Sequence, residues 1–142
     1  MCSTFQLGKW TAGFGRDYTK RNNFSVAGLD KLYKKRYGVT RSEMNLGFLG
    51  KLSRDIRILE VGANIGNQLL ALQKLGFSDL WGVEPLLYAV EIGKKRLLDA
   101  NLIKGSIFEI PFKENFFDLV FTSGVLIHIQ PDHLIKGLKE IN

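Results

Sequence analysis

Acidic and glycine residues at regular spacing mark one stretch of the chain as a place to hold a ligand. An apolar strand is expected at residues 57–61, and it contains the acid Glu60. Small residues follow at every second position after this acid: Gly62, Asn64 and Gly66. Glycine has no Cβ, so this loop can turn sharply and let a ligand lie against its backbone. The following helix, to about Leu75, directs free N–H groups at the same point, which suits a carboxylate or phosphate. The stretch predicts the first unit of a nucleotide-binding α/β domain.

A second acid, Glu84, ends the next expected strand, 18 residues after Gly66. An acid at this position can accept hydrogen bonds from both hydroxyls of a ribose. In a parallel sheet, ligands sit outside the carboxyl ends of the strands. The glycine loop and Glu84 are therefore expected to converge there with residues that follow later strands: Ser106, Ile107 and Ser123.

The elements that must position these residues alternate along the chain. Two helices are expected first. One covers about residues 25–37 and ends at Gly38. The other begins after Thr40, because the spacing of Thr40 and Glu43 indicates a capping box. Strands are then expected at 57–61, 80–84, 102–104 and 117–121, with helices at about 66–75 and 86–98 and from Pro131 onward. Pro85 is expected in the first turn of its helix. The alternation predicts right-handed βαβ units and a parallel sheet.

Composition narrows the class of protein. The chain has 142 residues and a net charge of +6, and residues 1–57 carry 12 lysines and arginines against 4 acids. This basic half is interpreted as a solvated helix surface in preference to a nucleic-acid interface. Cys2 is the single cysteine, which excludes an intrachain disulfide and a cysteine-based zinc site. Without a signal peptide or an apolar span in the sequence, the expected location is the cytoplasm, with no membrane partner.

The glycine loop resembles motif I of the class I S-adenosylmethionine-dependent methyltransferases. The motif usually reads acid-x-Gly-x-Gly-x-Gly, and Asn64 stands here at its middle glycine. Asparagine tolerates a positive φ, so the turn survives the change. The dinucleotide fingerprint G-x-G-x-x-G fits poorly, which argues against a nicotinamide-dependent oxidoreductase. The resemblance implies S-adenosylmethionine as cofactor and a small-molecule methyl acceptor.

The resemblance continues downstream over roughly residues 57–135. Glu84 matches the ribose-binding acid, residues 105–112 the stretch beside the adenine, and residues 117–129 the fourth strand and its loop. Ser106 stands where many members have an aspartate that accepts a bond from the adenine amino group. The resemblance thus implies cofactor contacts by Glu60, Gly62, Asn64, Gly66, Glu84, Ser106, Ile107 and Ser123, and no metal.

Three segments resemble one subgroup, the methylases associated with pseudaminic acid biosynthesis: 14–22, 62–67 and 115–129. This implies a sugar-related acceptor in nonulosonic acid or surface-glycan biosynthesis. A nucleic-acid acceptor ranks low, because the loop after the fourth strand lacks the Asn/Asp-Pro-Pro-aromatic signature. The oligomeric state stays open.

Catalytic residues are not assigned by these patterns. If the acceptor is a hydroxyl or amine, a general base can remove its proton, and His128 lies near the expected acceptor position. The alternative, which we favour, is that His128 only packs in its loop. Tyr18 and Arg21 are candidates to fold over the pocket, and ordinary packing of a basic N-terminal segment is the equal alternative.

The resemblance implies a Rossmann-like fold with sheet order 3-2-1-4 and N-terminal helices. Residues 1–56 are expected to form a helical cap segment, and residues 57–142 a cofactor-binding core. A class I methyltransferase has seven strands, so the chain is expected to lack the last ones. This leaves a second reading, a cofactor-binding remnant without turnover.

Overall fold

A four-stranded parallel sheet lies at the centre of the computed structural model, which describes residues 4–142. In chain order the strands are β1 (Arg57–Val61), β2 (Asp79–Glu84), β3 (Ala100–Lys104) and β4 (Leu119–Thr122). They lie in the order β3-β2-β1-β4, which confirms the predicted Rossmann-like α/β fold. Because every neighbouring pair is parallel, the carboxyl ends of all four strands lie at one edge of the sheet.

In the described part of the chain, four helices precede the sheet: α1 (Phe5–Trp10), α2 (Gly13–Arg21), α3 (Val26–Tyr37) and α4 (Arg41–Leu49). As predicted, α3 ends at Gly38 with a left-handed φ of 77°, and α4 begins with the capping box of Thr40 and Glu43. Helices α1 and α2 were not predicted. Glycine is a poor helix former, so Gly8, Gly13 and Gly15 lower the helix propensity of this segment, and the sequence did not predict the two helices.

Three further helices are α5 (Asn67–Lys74), α6 (Leu87–Arg96) and α7 (Pro131–Ile141). The expected start of α7 at Pro131 is confirmed. The expected place of Pro85 inside the first turn of α6 is wrong, because Leu86, the N-cap, keeps an extended backbone with ψ of 104°. The helix therefore begins two residues after the proline.

The two faces of the sheet bury separate apolar clusters because side chains alternate along each strand. One cluster joins Ile58, Leu80 and Leu102 to Leu69 and Leu72 of α5. The other cluster contains three strand residues with two from the loop after β3: Leu59, Val61, Val83, Ile107 and Phe108. By the same alternation, Glu60 lies on the face that α5 covers.

Gly82 lets α5 approach β2 closely. A Cβ at this position would lie 2.8 Å from the Cβ of Ala63 and 2.9 Å from a methyl carbon of Leu69. The start of α5 and the loop before it are therefore held directly against the sheet.

The division of the chain at residues 56 and 57 and the expectation of missing strands remain predictions. Cys2 lies outside the described residues. Within residues 4–142, no helix is long and apolar enough to cross a membrane.

Replacing Thr40 by alanine removes the oxygen that accepts the N–H of Glu43 at 3.0 Å. We expect the free energy of unfolding to fall by about 1 kcal/mol, as measured by urea denaturation. Thr40→Ser keeps the oxygen and should keep most of the stability. Equal stability of the alanine variant and the unmodified chain would show that the cap contributes nothing.

Candidate functional site

A cleft that is partly open to solvent lies at the carboxyl edge of the sheet. Six of the eight predicted site residues line it: Gly62, Asn64, Glu84, Ser106, Ile107 and Ser123. They come from the end of β2 and from the loops after β1, β3 and β4, so the expected convergence of these six residues is observed. Glu60 and Gly66 do not line the cleft.

The carboxylate of Glu84 is buried and joins two backbone segments. One oxygen accepts the N–H of Asn64 and the other accepts the N–H of Leu86, both at 2.9 Å. Burial raises the pKa of Glu84 to about 6, against the lowering effect of those two N–H groups. Each carboxylate oxygen has two lone pairs, so one on each remains for a ligand hydroxyl.

Glu60 lies beneath the glycine loop, within the protein. Its side chain is 3% exposed, and its Oε2 atom has no hydrogen-bond partner. Burial raises the pKa of Glu60 to about 8, although Arg41 lowers it. A buried, unpartnered acceptor is costly, and the raised pKa favours the protonated form of this acid.

Gly66 shapes the loop instead of lining the cleft. It has a left-handed φ of 77° and is the N-cap of α5. A Cβ there would lie 2.2 Å from Leu97 Cδ1. Gly66 is therefore needed for the turn and for packing.

Gly62 does line the cleft, but its missing Cβ makes room for protein. Its φ is 78°, and a Cβ there would lie 2.3 Å from Val125 Cγ2. The space beside the missing Cβ is filled by the loop after β4, which folds back over the glycine, so a ligand can lie only against the other side of the Gly62 backbone. A Gly62→Val substitution would disturb that packing whether or not a ligand binds.

The loop after β3 forms a tight turn that presents Ser106 and Ile107 to the cleft. Ser106 and Glu109 exchange two backbone hydrogen bonds, of 3.2 and 3.0 Å. The hydroxyl of Ser106 accepts the N–H of Phe108 at 3.2 Å, which leaves its own proton available. Ile107 is buried and packs against Gly137 of α7. This wall of the cleft is therefore apolar apart from the serine.

The N-terminal helices supply a wall that the sequence indicated only in part. Tyr18 lines the cleft as predicted, whereas Arg21 is exposed and does not. Leu7 and Trp10 of α1 also line it. They were missed because α1 itself was not predicted.

His128 lies in the loop after β4, on the rim of the cleft. Its ring packs against Trp10, with ring centroids 4.7 Å apart. Both the packing role and the proton-accepting role are compatible with this position. Among the described residues, no group of three or more histidine, cysteine or acidic side chains could hold a metal ion.

Comparison with known proteins identifies the family. The family model described as a methyltransferase domain matches residues 59–142, more than half of the chain. An uncharacterized methyltransferase of Schizosaccharomyces pombe is 34% identical over 98 residues, which cover 60% of this chain and 35% of that protein. The demethylmenaquinone methyltransferase of Staphylococcus aureus is 27% identical over 132 residues, or 89% of this chain and 50% of that protein. The chain thus spans half or less of the length of these curated relatives.

Solved structures show the same fold. A putative S-adenosylmethionine-dependent methyltransferase from Methanococcus maripaludis matches 99% of this chain and 59% of its own, with a TM-score of 0.62 and 16% identity. The magnesium protoporphyrin IX methyltransferase from Synechocystis, solved with bound S-adenosylmethionine, matches 99% of this chain and 72% of its own, with a TM-score of 0.68 and 13% identity.

Fold and cleft define a Rossmann-like protein with a candidate ligand site at the carboxyl edge of its sheet. The chain belongs to the methyltransferase domain family. The predicted class, the S-adenosylmethionine-dependent methyltransferases, is confirmed at this level, and S-adenosylmethionine is the cofactor of that class.

The buried acids should make stability depend on pH. Because the folded chain binds a proton at Glu60 more tightly than the unfolded chain does, the stability from protonated Glu60 is present below about pH 4.5 and is lost as the pH rises to about 8. One proton corresponds to about 1.4 kcal/mol per pH unit within that window. Burial raises the pKa of Glu84 to about 6, so the stability from protonated Glu84 is likewise lost between about pH 4.5 and pH 6.

Urea denaturation at several pH values tests this expectation. In Glu60→Gln, the fall in stability should end near pH 6, where the contribution of Glu84 ends. Glu91→Gln, at an exposed position of α6, serves as the matched control. If Glu60→Gln kept the full slope up to pH 8, the buried acid would not be its source.

Proposed function

We propose that this chain binds S-adenosylmethionine in the cleft and forms the cofactor-binding part of a methyltransferase that acts on a small molecule. The observation that carries the proposal is the convergence on one cleft of predicted cofactor residues from the end of β2 and the loops after β1, β3 and β4. Family membership supports it. The chain spans half or less of the length of its curated relatives. We therefore also propose, as a separate claim, that the 142-residue chain is itself active.

The donor and acceptor groups suit the parts of this cofactor. The free lone pairs of Glu84 are proposed to accept the ribose hydroxyls, and Ser106 and Ile107 to flank the adenine. Gly62, Asn64 and Ser123 are proposed to border the methionine part. Glu60 and Gly66 support the loop from below, Glu60 with a buried oxygen that lacks a partner in the protein.

Methyl transfer asks little covalent chemistry of the protein. The bound cofactor supplies an electrophilic methyl group on a sulfonium, so the protein mainly supplies proximity, orientation and exclusion of water. Trp10 and Tyr18 line the cleft and are proposed to exclude water. His128 is the candidate to accept a proton from the acceptor, because it is the one histidine that lines the cleft.

The acceptor is proposed to be an uncharged small molecule. None of the described residues that line the cleft is a lysine or arginine, so an anionic group would find no cation there. A neutral sugar-related acceptor of surface-glycan biosynthesis agrees with this lining, whereas a nonulosonic acid, which the resemblance to the pseudaminic acid subgroup also implies, carries a carboxylate and agrees less well. The relative from Staphylococcus aureus is named for demethylmenaquinone, which makes a quinone a second acceptor class to assay. A cofactor-binding remnant without turnover is the less favoured alternative.

Calorimetric titration of S-adenosylhomocysteine into the purified chain, with circular dichroism as the check of folding, tests the cofactor. We expect micromolar binding, and no binding of NAD under the same conditions. A folded chain that bound neither compound would overturn the proposal for this chain. Binding followed by no methylation of neutral sugars or quinones would favour the remnant.

Glu84→Ala should weaken S-adenosylhomocysteine binding by about 1–3 kcal/mol, because hydrogen bonds to a charged acceptor are lost. Titration calorimetry measures the change. Glu91→Ala, at an exposed position of α6, is the matched control and should bind normally. If Glu84→Ala does not fold, Glu84→Asp keeps the charge and shortens the side chain by one methylene. Unchanged affinity in a folded Glu84 variant would remove this residue from the ribose site.

A further inference from the structure

Asn64 of the glycine loop and Asn67 at the start of α5 bind a segment far away in the sequence. The side chains of Asn64 and Asn67 each bond to the N-terminal region across 45 residues of sequence. Asn64 bonds to the segment that carries α1 and α2, which we call the α1–α2 hairpin (residues 5–21), and Asn67 bonds to Asn22, directly after it. The loop that borders the cleft is thus also the anchor of the helices above it.

The Asn64 tie is a directed chain of hydrogen bonds. The Asn64 Nδ2 group donates to Thr19 Oγ1 at 2.9 Å, and the hydroxyl of Thr19 donates to the carbonyl of Gly15 at 2.9 Å. Since the hydroxyl has one proton and gives it to Gly15, Thr19 can only accept from Asn64. Thr19 is 1% exposed, so water does not replace either bond.

The same residue reaches the ribose-site candidate through its backbone. The N–H of Asn64 donates to Glu84 at 2.9 Å while its side chain holds Thr19. Asn64 therefore connects the acid on one side of the cleft to the α1–α2 hairpin on the other.

The second tie holds the end of the hairpin. Asn67 Nδ2 donates to the carbonyl of Asn22 at 2.6 Å, and its Oδ1 accepts from Arg96 at 2.5 Å. Arg96 also donates to the carbonyl of Phe24. This tie lies away from the cleft and fixes where α2 ends.

The tied hairpin carries one wall of the cleft. Leu7, Trp10 and Tyr18 line the cleft, and Trp10 packs against His128 of the opposite loop. Within the hairpin, α2 packs so closely on α1 that a Cβ at Gly15 would lie 1.8 Å from the carbonyl oxygen of Trp10. Displacement of Thr19 would therefore move Trp10 as well.

We propose that Asn64 is a positioning residue, whose side-chain amide couples the glycine loop to the α1–α2 hairpin so that the hairpin closes over the cleft. The coupling itself concerns the protein without ligand, and only its effect on ligand affinity rests on the proposed function. Binding in the cleft and closure of the hairpin then favour one another by the same factor.

The competing explanation is that Asn64 merely tolerates its left-handed φ of 48°. Asn64→Gly separates the two, because glycine adopts this φ at no steric cost and removes the amide, while its added backbone freedom is matched by the control below. Thr19→Val removes the same bond from its other end without touching the loop, and it also removes the bond from Thr19 to the carbonyl of Gly15. Asn115→Gly is the matched control, an exposed asparagine with φ of 57° and no side-chain hydrogen bond among those observed.

Hydrogen exchange measured by mass spectrometry on the full chain without ligand is the first test. We expect Asn64→Gly and Thr19→Val each to speed exchange in peptides from residues 5–21 by roughly three- to tenfold, as loss of at least one buried hydrogen bond implies. The double variant should add little to Thr19→Val, because Thr19→Val already removes the bond from Asn64 together with the bond to Gly15. Asn115→Gly should leave exchange in these peptides unchanged.

The second test adds S-adenosylhomocysteine. The ligand should slow exchange in residues 5–21 of the unmodified chain and much less in Asn64→Gly, and Thr19→Val should weaken binding although Thr19 lines no part of the cleft. Unchanged exchange in Asn64→Gly, or full additivity of the two substitutions, would overturn the coupling. If the unmodified chain binds no S-adenosylhomocysteine, the proposed function fails, and the exchange measured without ligand still decides the coupling.

Discussion

The buried carboxylate of Glu84 is the interaction on which the site depends. It accepts one N–H from the loop after β1 and one from the start of α6, so a single side chain fixes three segments relative to one another. Its burial is unfavourable for the charged form, and the two N–H groups partly offset this. The acid at the end of β2 is therefore held in place before any ligand arrives.

Close packing of helices on the sheet gives this interaction its geometry. At Gly93 of α6, a Cβ would lie 2.2 Å from Leu102 Cδ2, and at Gly82 of β2 one would lie 2.6 Å from Leu102 Cδ1. These contacts leave no room for a side chain, so α5 and α6 approach the strands as closely as their backbones allow. The loops at the carboxyl edge join these strands to these helices, so the packing determines where the loops lie.

The cleft is built by two parts of the chain that are distant in sequence. The strand loops provide its polar groups, whereas α1 and α2 provide Leu7, Trp10 and Tyr18. Asn64 of the glycine loop and Asn67 at the start of α5 join these parts, since each bonds across 45 residues of sequence. The loop is thus a ligand-site candidate and a structural anchor at once.

The sequence by itself determined the features that depend on near neighbours. The capping box at Thr40, the left-handed end of α3 at Gly38 and the alternation of strands and helices follow from local hydrogen bonding and hydrophobic period. The parallel sheet then brought six of the eight predicted residues to one edge. Only the tertiary structure decided that Val125 fills the space above Gly62, that Glu60 is buried beneath the loop, and that Asn64 reaches Thr19. These features depend on which distant side chains the packed elements place side by side, and local preference carries no information about that.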